Sequence, residues 1–312
     1  MPRPRFYRLS LRKTLLVGGL GCLLVSGLEV QAAVGAADLA RQVLSAYGGA
    51  AVVKENAARA TRSQGQVISK SSLSDASNQF GCEMLTCADK LRVETVVLGH
   101  RNVMAYDGKS AWTKTGDWVA LSSPTAVKRI AAELRHGLNA LLSLEDPACK
   151  LEVLPDRQVE DKLCHRLKVV APDGLWTTFF IDSSTNLVVK SQFEGFDSEQ
   201  GVAAIKDIDY FDYRVVDGMP TPFRYVEYTD GKKSSETVLA SVTTDSTVDE
   251  GAFAMPPESK VAGITENPVV IPFDYLGNEI IISARINDSP EARFVVDTGA
   301  SQTVLDTRTA QS

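Results

Sequence analysis

Val103-Met104-Ala105-Tyr106-Asp107-Gly108-Lys109-Ser110-Ala111-Trp112-Thr113-Lys114 reads as a β-hairpin. Val103 to Asp107 forms one strand and Ala111 to Lys114 the next, with the turn dipeptide Asp107-Gly108 between them. The same rhythm runs outward in both directions. Leu91 to Leu98 precedes it. Leu151 to Leu154, Cys164 to Val170, Thr177 to Ile181 and Leu187 to Phe193 follow. Further on come Ile205 to Val215, Pro222 to Tyr228 and Thr237 to Thr244. Pro172-Asp173-Gly174, Asp217-Gly218 and Asp230-Gly231 punctuate these runs as turns.

Helices frame the strands. Leu39, Val43, Leu44 and Tyr47 fall on one face of a helix beginning near Ala37, and Gly48-Gly49 ends it. Ala51 to Ala58 reads as a second, short helix. Val127, Ile130, Ala131, Leu134, Leu138 and Leu141 predict one more, from Pro124 to Leu142. The expected fold is mainly β, of the α+β kind: one strongly curved antiparallel sheet with helices, over residues 37–258. Trp112, Trp118, Trp176, Phe179 and Tyr210 are expected as core residues of that sheet.

Several of these segments resemble the LolA/LolB-like half-barrel of periplasmic lipoprotein carriers. Tyr106-Asp107-Gly108 with Trp112 is similar to its Y-D-G-x-x-x-W hairpin. Thr178 to Asp182 with Asn186-Leu187-Val188 resembles its strand, I-D, turn, strand step. Tyr210 to Phe223 resembles its paired strands with a Gly and a Pro in the turn region, and Phe253-Ala254-Met255-Pro256 its closing F-x-x-P. The resemblance implies an acyl or lipid ligand in the hollow of the sheet, and it assigns no single residue to that role.

A second resemblance lies near the C-terminus. Phe294-Val295-Val296-Asp297-Thr298-Gly299-Ala300-Ser301 delivers an Asp onto a Thr-Gly turn from an apolar, β-branched run. Val269 to Tyr275, the turn Gly277-Asn278, the strand Glu279 to Ile286 and the turn Asn287 to Pro290 precede it. The segment is similar to the active-site region of retropepsin-like aspartic proteases. That resemblance makes Asp297 a catalytic carboxylate, with Thr298, Gly299, Ala300 and Ser301 supporting its loop. In this chemistry two carboxylates share a proton and activate water, with no cofactor. A single D-T-G requires a homodimer to complete the pair. It also implies a peptide or protein substrate. Residues 268–312 hold about forty-five residues of such a domain, with no flap hairpin and no later apolar-apolar-Gly brace, so a partial domain is expected. Residues 259–267 read as the linker.

Residues 1–32 read as a secretory signal. Arg3, Arg5, Arg8, Arg12 and Lys13 form a basic start, Leu15 to Leu28 an apolar stretch, and Val30-Gln31-Ala32 a cleavage site. The expected location is the periplasm or cell envelope, with secretion open. The chain carries a net charge of −6, or about −10 without the five basic residues and one acid of the signal. That balance argues against nucleic acid, whose binding rests on neutralising phosphates. Cys82, Cys87, Cys149 and Cys164 are disulfide candidates in an oxidising compartment. Cys82 and Cys87 would close a small loop, Cys149 and Cys164 form the other candidate pair, and the spacing leaves connectivity open. No metal site is expected, because the spacing is not C-x-x-C. The leading expectation is therefore an exported aspartic endopeptidase. The alternative is a lipid- or lipoprotein-binding carrier with an inert tail.

Overall fold

The computed structural model describes residues 35–70, 77–97, 99–197, 200–245, 250–256, 260–262, 270–286, 289–297 and 305. The expected signal, 1–32, lies outside these residues. Two helices come first, α1 (Ala36–Ala46) and α2 (Ala50–Ala58). A six-strand meander follows: β1 (Ala60–Lys70), β2 (Ser77–Cys87), β3 (Lys90–Val97), β4 (His100–Tyr106), β5 (Ala111–Thr115) and β6 (Trp118–Leu121). Next come α3 (Pro124–Glu133) and a 3₁₀ helix (Gly137–Glu145). The second meander is β7 (Lys150–Val159), β8 (Lys162–Val170), β9 (Trp176–Asp182), β10 (Val188–Asp197), β11 (Val202–Val216), β12 (Met219–Thr229) and β13 (Lys232–Asp245). A 3₁₀ turn (Glu250–Phe253) and β14 (Lys260–Ala262) follow, then β15 (Asp274–Leu276), β16 (Glu279–Ala284) and β17 (Ala292–Val296).

The first fourteen strands form one curved sheet in the order β14-β6-β5-β4-β3-β2-β1-β13-β12-β11-β10-β9-β8-β7. The two meanders join where β1 pairs antiparallel with β13, from Ala60 opposite Asp245 to Ser69 opposite Ser235. The sheet is open, with β14 and β7 at its edges. Local chemistry builds the hairpins. Asp217-Gly218 and Asp230-Gly231 are two-residue loops with φ values of 46°, 79°, 47° and 76°, the left-handed pair that matches strand twist. At the junction of the meanders the pairing shifts between Gln64 and Gly65 of β1, because β13 carries an extra residue, Ala240, between Leu239 and Ser241. A Cβ on Gly65 would lie 2.2 Å from the Val238 carbonyl oxygen, so only glycine fits there.

The main core sits against the β7–β13 half. Leu39, Val43 and Leu44 of α1 and Tyr47 just past its end, with Val53 of α2 and Leu141 of the 3₁₀ helix, pack on Leu167, Phe179, Ile181 and Val188. These buried apolar side chains supply most of the driving force for folding. Tyr213 anchors the same layer by donating to the Val188 carbonyl oxygen at 2.6 Å, and its hydroxyl meets that of Tyr47 at 2.9 Å. Burial pushes the Tyr47 hydroxyl up to about 12, so it stays a neutral partner.

The structure differs from the sequence expectation at several points. The helix expected from Pro124 to Leu142 ends at Glu133. Gly137 then adopts φ 59°, where a Cβ would come within 3.0 Å of the Tyr210 hydroxyl, and the chain resumes as the 3₁₀ helix. Trp112, Phe179 and Tyr210 are buried as expected, but Trp118 is 59% exposed. Within the expected linker, Lys260–Ala262 forms β14 and pairs parallel with β6. The disulfide expectation is corrected as well, since all four cysteines are free thiols. Cys82 and Cys87 lie on one extended strand, β2. Their Cα atoms are therefore roughly 16 Å apart, and a disulfide needs less than about 7 Å. Cys149 precedes Lys150, which pairs with Val170, whereas Cys164 lies opposite Arg157. That places the second pair roughly 20 Å apart along the hairpin.

Candidate functional site

Strand alternation sorts side chains onto two faces. The face that carries the helices continues from Tyr225 through Thr237 and Val67 to Phe80, then along β2 to Met84 and across to Val93 and Met104. The opposite face of the β1–β5 half carries Arg62, Glu83, Leu85, Arg92, Glu94, Arg101 and Trp112. Among the described residues no α-helix covers it. The segment 250–256 crosses it instead. Trp112 Nε1 donates to the Phe253 carbonyl at 3.0 Å, and Arg92 Nη1 donates to the Ala252 carbonyl at 3.0 Å. Phe253 is buried against Ala60 and Leu85.

Beside this crossing segment runs a trough of about 560 Å³. Leu85, Ala252, Met255 and Pro256 form its apolar wall. Arg62, Glu83, Arg92 and Glu94 form its rim. Two smaller hollows continue it. One, of about 420 Å³, shares Arg92 and Pro256 and adds His100, Arg101 and Lys114. The other, of about 380 Å³, shares Glu83 and Glu94 and adds Gln64 and Cys82.

The rim is an ordered charge ladder. Glu83 and Glu94 are cross-strand partners, a repulsive juxtaposition unless each is paired with a cation. Arg62 bonds Glu83, and Gln64 Nε2 donates to it at 3.0 Å. Arg92 donates twice to Glu94 Oε1, at 2.8 and 2.6 Å, and Arg101 Nε donates to Glu94 Oε2 at 2.7 Å. Desolvation alone would raise the Glu94 carboxyl, but these hydrogen bonds and charges outweigh it and hold the group below the usual carboxylate range. Glu94 therefore stays ionised and fixes both guanidinium groups. Arg92 also lies over the Trp112 ring, 5.8 Å from its centroid.

The sequence reading missed this site. It placed no strand over β1 or β2, because Ala60-Thr61-Arg62-Ser63-Gln64-Gly65-Gln66 is polar on both faces. The available signal was the alternation of Arg62, Gln64 and Gln66 and of Glu83 and Leu85 across two successive segments.

The residues singled out near the C-terminus lie elsewhere, on a three-stranded sheet in the order β15-β16-β17. The hairpin and the strand before Asp297 form as expected. Their burial does not. Val295 is 54% exposed, Val296 is 40% exposed, and Asp297 at the end of β17 is exposed. A proton-sharing dyad needs carboxylates about 3 Å apart, and here the strand that would desolvate Asp297 faces solvent. Thr298, Gly299, Ala300 and Ser301 lie outside the described residues.

Comparison with known proteins gives structural likenesses only, since no family model and no curated protein matches the chain. A candidate outer membrane lipoprotein-sorting protein domain from Vibrio parahaemolyticus is 14% identical, over 70% of this chain and 95% of that one, with a TM-score of 0.40. A LolA superfamily protein from Nitrosomonas europaea is 11% identical, over 66% and 97%, with a TM-score of 0.43. A DUF1329 family protein from Desulfovibrio piger is 11% identical, over 70% and 95%, with a TM-score of 0.46. The exposed strand before Asp297 corrects the aspartic endopeptidase expectation, and the peptide substrate and obligatory homodimer go with it.

Proposed function

We propose that this is an exported envelope protein that holds an amphiphile, a lipid or an acylated protein, in the trough on the helix-free face of β1–β5. The observation that carries the reading is the trough itself. An apolar wall of Leu85, Ala252, Met255 and Pro256 lies under a rim of ordered charge, in about 560 Å³. That volume falls within the range of small-molecule sites, which combine apolar walls with a few placed polar groups. The open sheet favours this use, because a ligand can enter from the side without the sheet parting. The role belongs to residues 37–258, and residues 268–312 are assigned none. Export rests on the basic start, the apolar stretch Leu15 to Leu28 and the small residues around Ala32.

The test is the protein purified without detergent, extracted and weighed for bound lipid. Acyl species should accompany the wild type and be depleted in Met255→Trp, which fills the trough from an exposed position. A protein that carries no acyl species, and takes none from phospholipid vesicles, would overturn the reading. Export is checked separately, by sequencing the N-terminus of the envelope fraction. A chain starting near Ala33 is expected, and one starting at Met1 speaks against cleavage.

A further inference from the structure

The hollow of about 420 Å³ gathers cations beside the apolar trough. Arg92, His100, Arg101 and Lys114 line it, and no carboxylate among the described residues does. Among the described residues, the acid paired with these cations is Glu94, reached through Arg92 and Arg101. Three cations, Arg92, Arg101 and Lys114, therefore meet one carboxylate, in a chain whose net charge is −6. The surplus is local rather than a general field. It is also held in place: Arg92 is bonded to Glu94 and to the Ala252 carbonyl, and it lies over Trp112. Arg101 keeps a 69% exposed side chain while bonded to the same Glu94, so its remaining donors reach solvent. This basic hollow is continuous with the apolar trough through Arg92 and Pro256.

From this continuity we infer that the hollow is an anion site for the headgroup of the bound amphiphile, with the acyl chain along Leu85 and Met255. The inference rests on the amphiphile reading above and narrows it to anionic ligands, carrying phosphate or carboxylate. Guanidinium groups suit both anions, because their paired donors match two oxygens at once. Lys114 adds a mobile point charge on the far wall.

The experiment uses the mature protein and four probes in titration calorimetry: oleate, oleoyl lysophosphatidic acid, oleoyl lysophosphatidylcholine and inorganic phosphate. The anionic amphiphiles should bind at least about tenfold tighter than the zwitterion, and less tightly as salt rises. The double variant Arg101→Glu with Lys114→Glu should erase that preference. Both side chains reach the surface, so the melting temperature should hold, and Arg101→Lys with Lys114→Arg should restore the preference. A stronger response to the lysophosphatidic acid identifies the phosphate, and a stronger response to oleate the carboxylate. Equal affinity for all three amphiphiles would overturn the anion site and leave amphiphile binding standing. No binding of any amphiphile would overturn both. Inorganic phosphate binding as tightly as the lysophosphatidic acid would overturn the headgroup role in favour of a free anion.

Discussion

The two halves of the large sheet are covered in opposite ways. In the β7–β13 half, α1, α2 and the 3₁₀ helix seal one face with a contiguous core. In the β1–β6 half, the segment 250–256 crosses the other face, and the buried apolar groups are small clusters around Trp112 and Phe253. One half is therefore built as a foundation. The other leaves side chains half-covered beside an open trough. Sites that must admit a ligand are drawn from the less tightly packed part of a protein, where local opening costs least.

The largest effect should come from breaking the foundation. Phe179→Ala removes a fully buried ring from the main core. It should cost about 3–5 kcal/mol, read from denaturant unfolding. A cost below that of an exposed substitution would mean that the β7–β13 half is not the stabilising half.

Trp112→Phe sharpens the contrast. It keeps an aromatic ring but loses the bond to the Phe253 carbonyl, for about 1–2 kcal/mol. Hydrogen exchange should quicken in β4–β6 and stay slow in β8–β10. Uniform quickening would show that the two halves open together.

Acid should act on the foundation through His136. This ring is buried and stacked on Phe193, with centroids 4.4 Å apart, and its Nδ1 meets the Thr177 hydroxyl at 3.0 Å. Burial, helped by Arg135 and opposed by Asp173, pulls its pKa down to about 4. The unfolded chain, near the ordinary value of about 6.5, therefore binds the proton first. Stability from the neutral ring is complete above about 6.5 and is lost as pH falls from there through 4. His136→Phe should lower stability overall and flatten that part of the pH curve. An unchanged slope would exclude His136 as its source.

The smallest effect is expected at β17. Val295→Lys changes an exposed position and should alter stability by no more than about 0.5 kcal/mol. A large loss would show that this strand is buried in solution, against the correction made at Asp297.

Much of the fold was legible in the chain because it is written locally. Asp107-Gly108, Asp217-Gly218 and Asp230-Gly231 demand turns by their own backbone preferences, and the spacing of Leu39, Val43 and Leu44 demands a helix. The strands of the β15–β17 unit were readable for the same reason. What the sequence by itself determined was this series of hairpins and helices, and with it a mainly β protein. The pairing of β1 with β13, the break at Gly137, the distance between the cysteines and the exposure of the strand before Asp297 were decided only in three dimensions. So was the trough, which joins Arg62, Arg92 and Met255 from distant parts of the chain. Turns and helical faces depend on neighbours a few residues away. Strand pairing across the sheet and burial depend on contacts between segments far apart in sequence, and no local pattern carries that information.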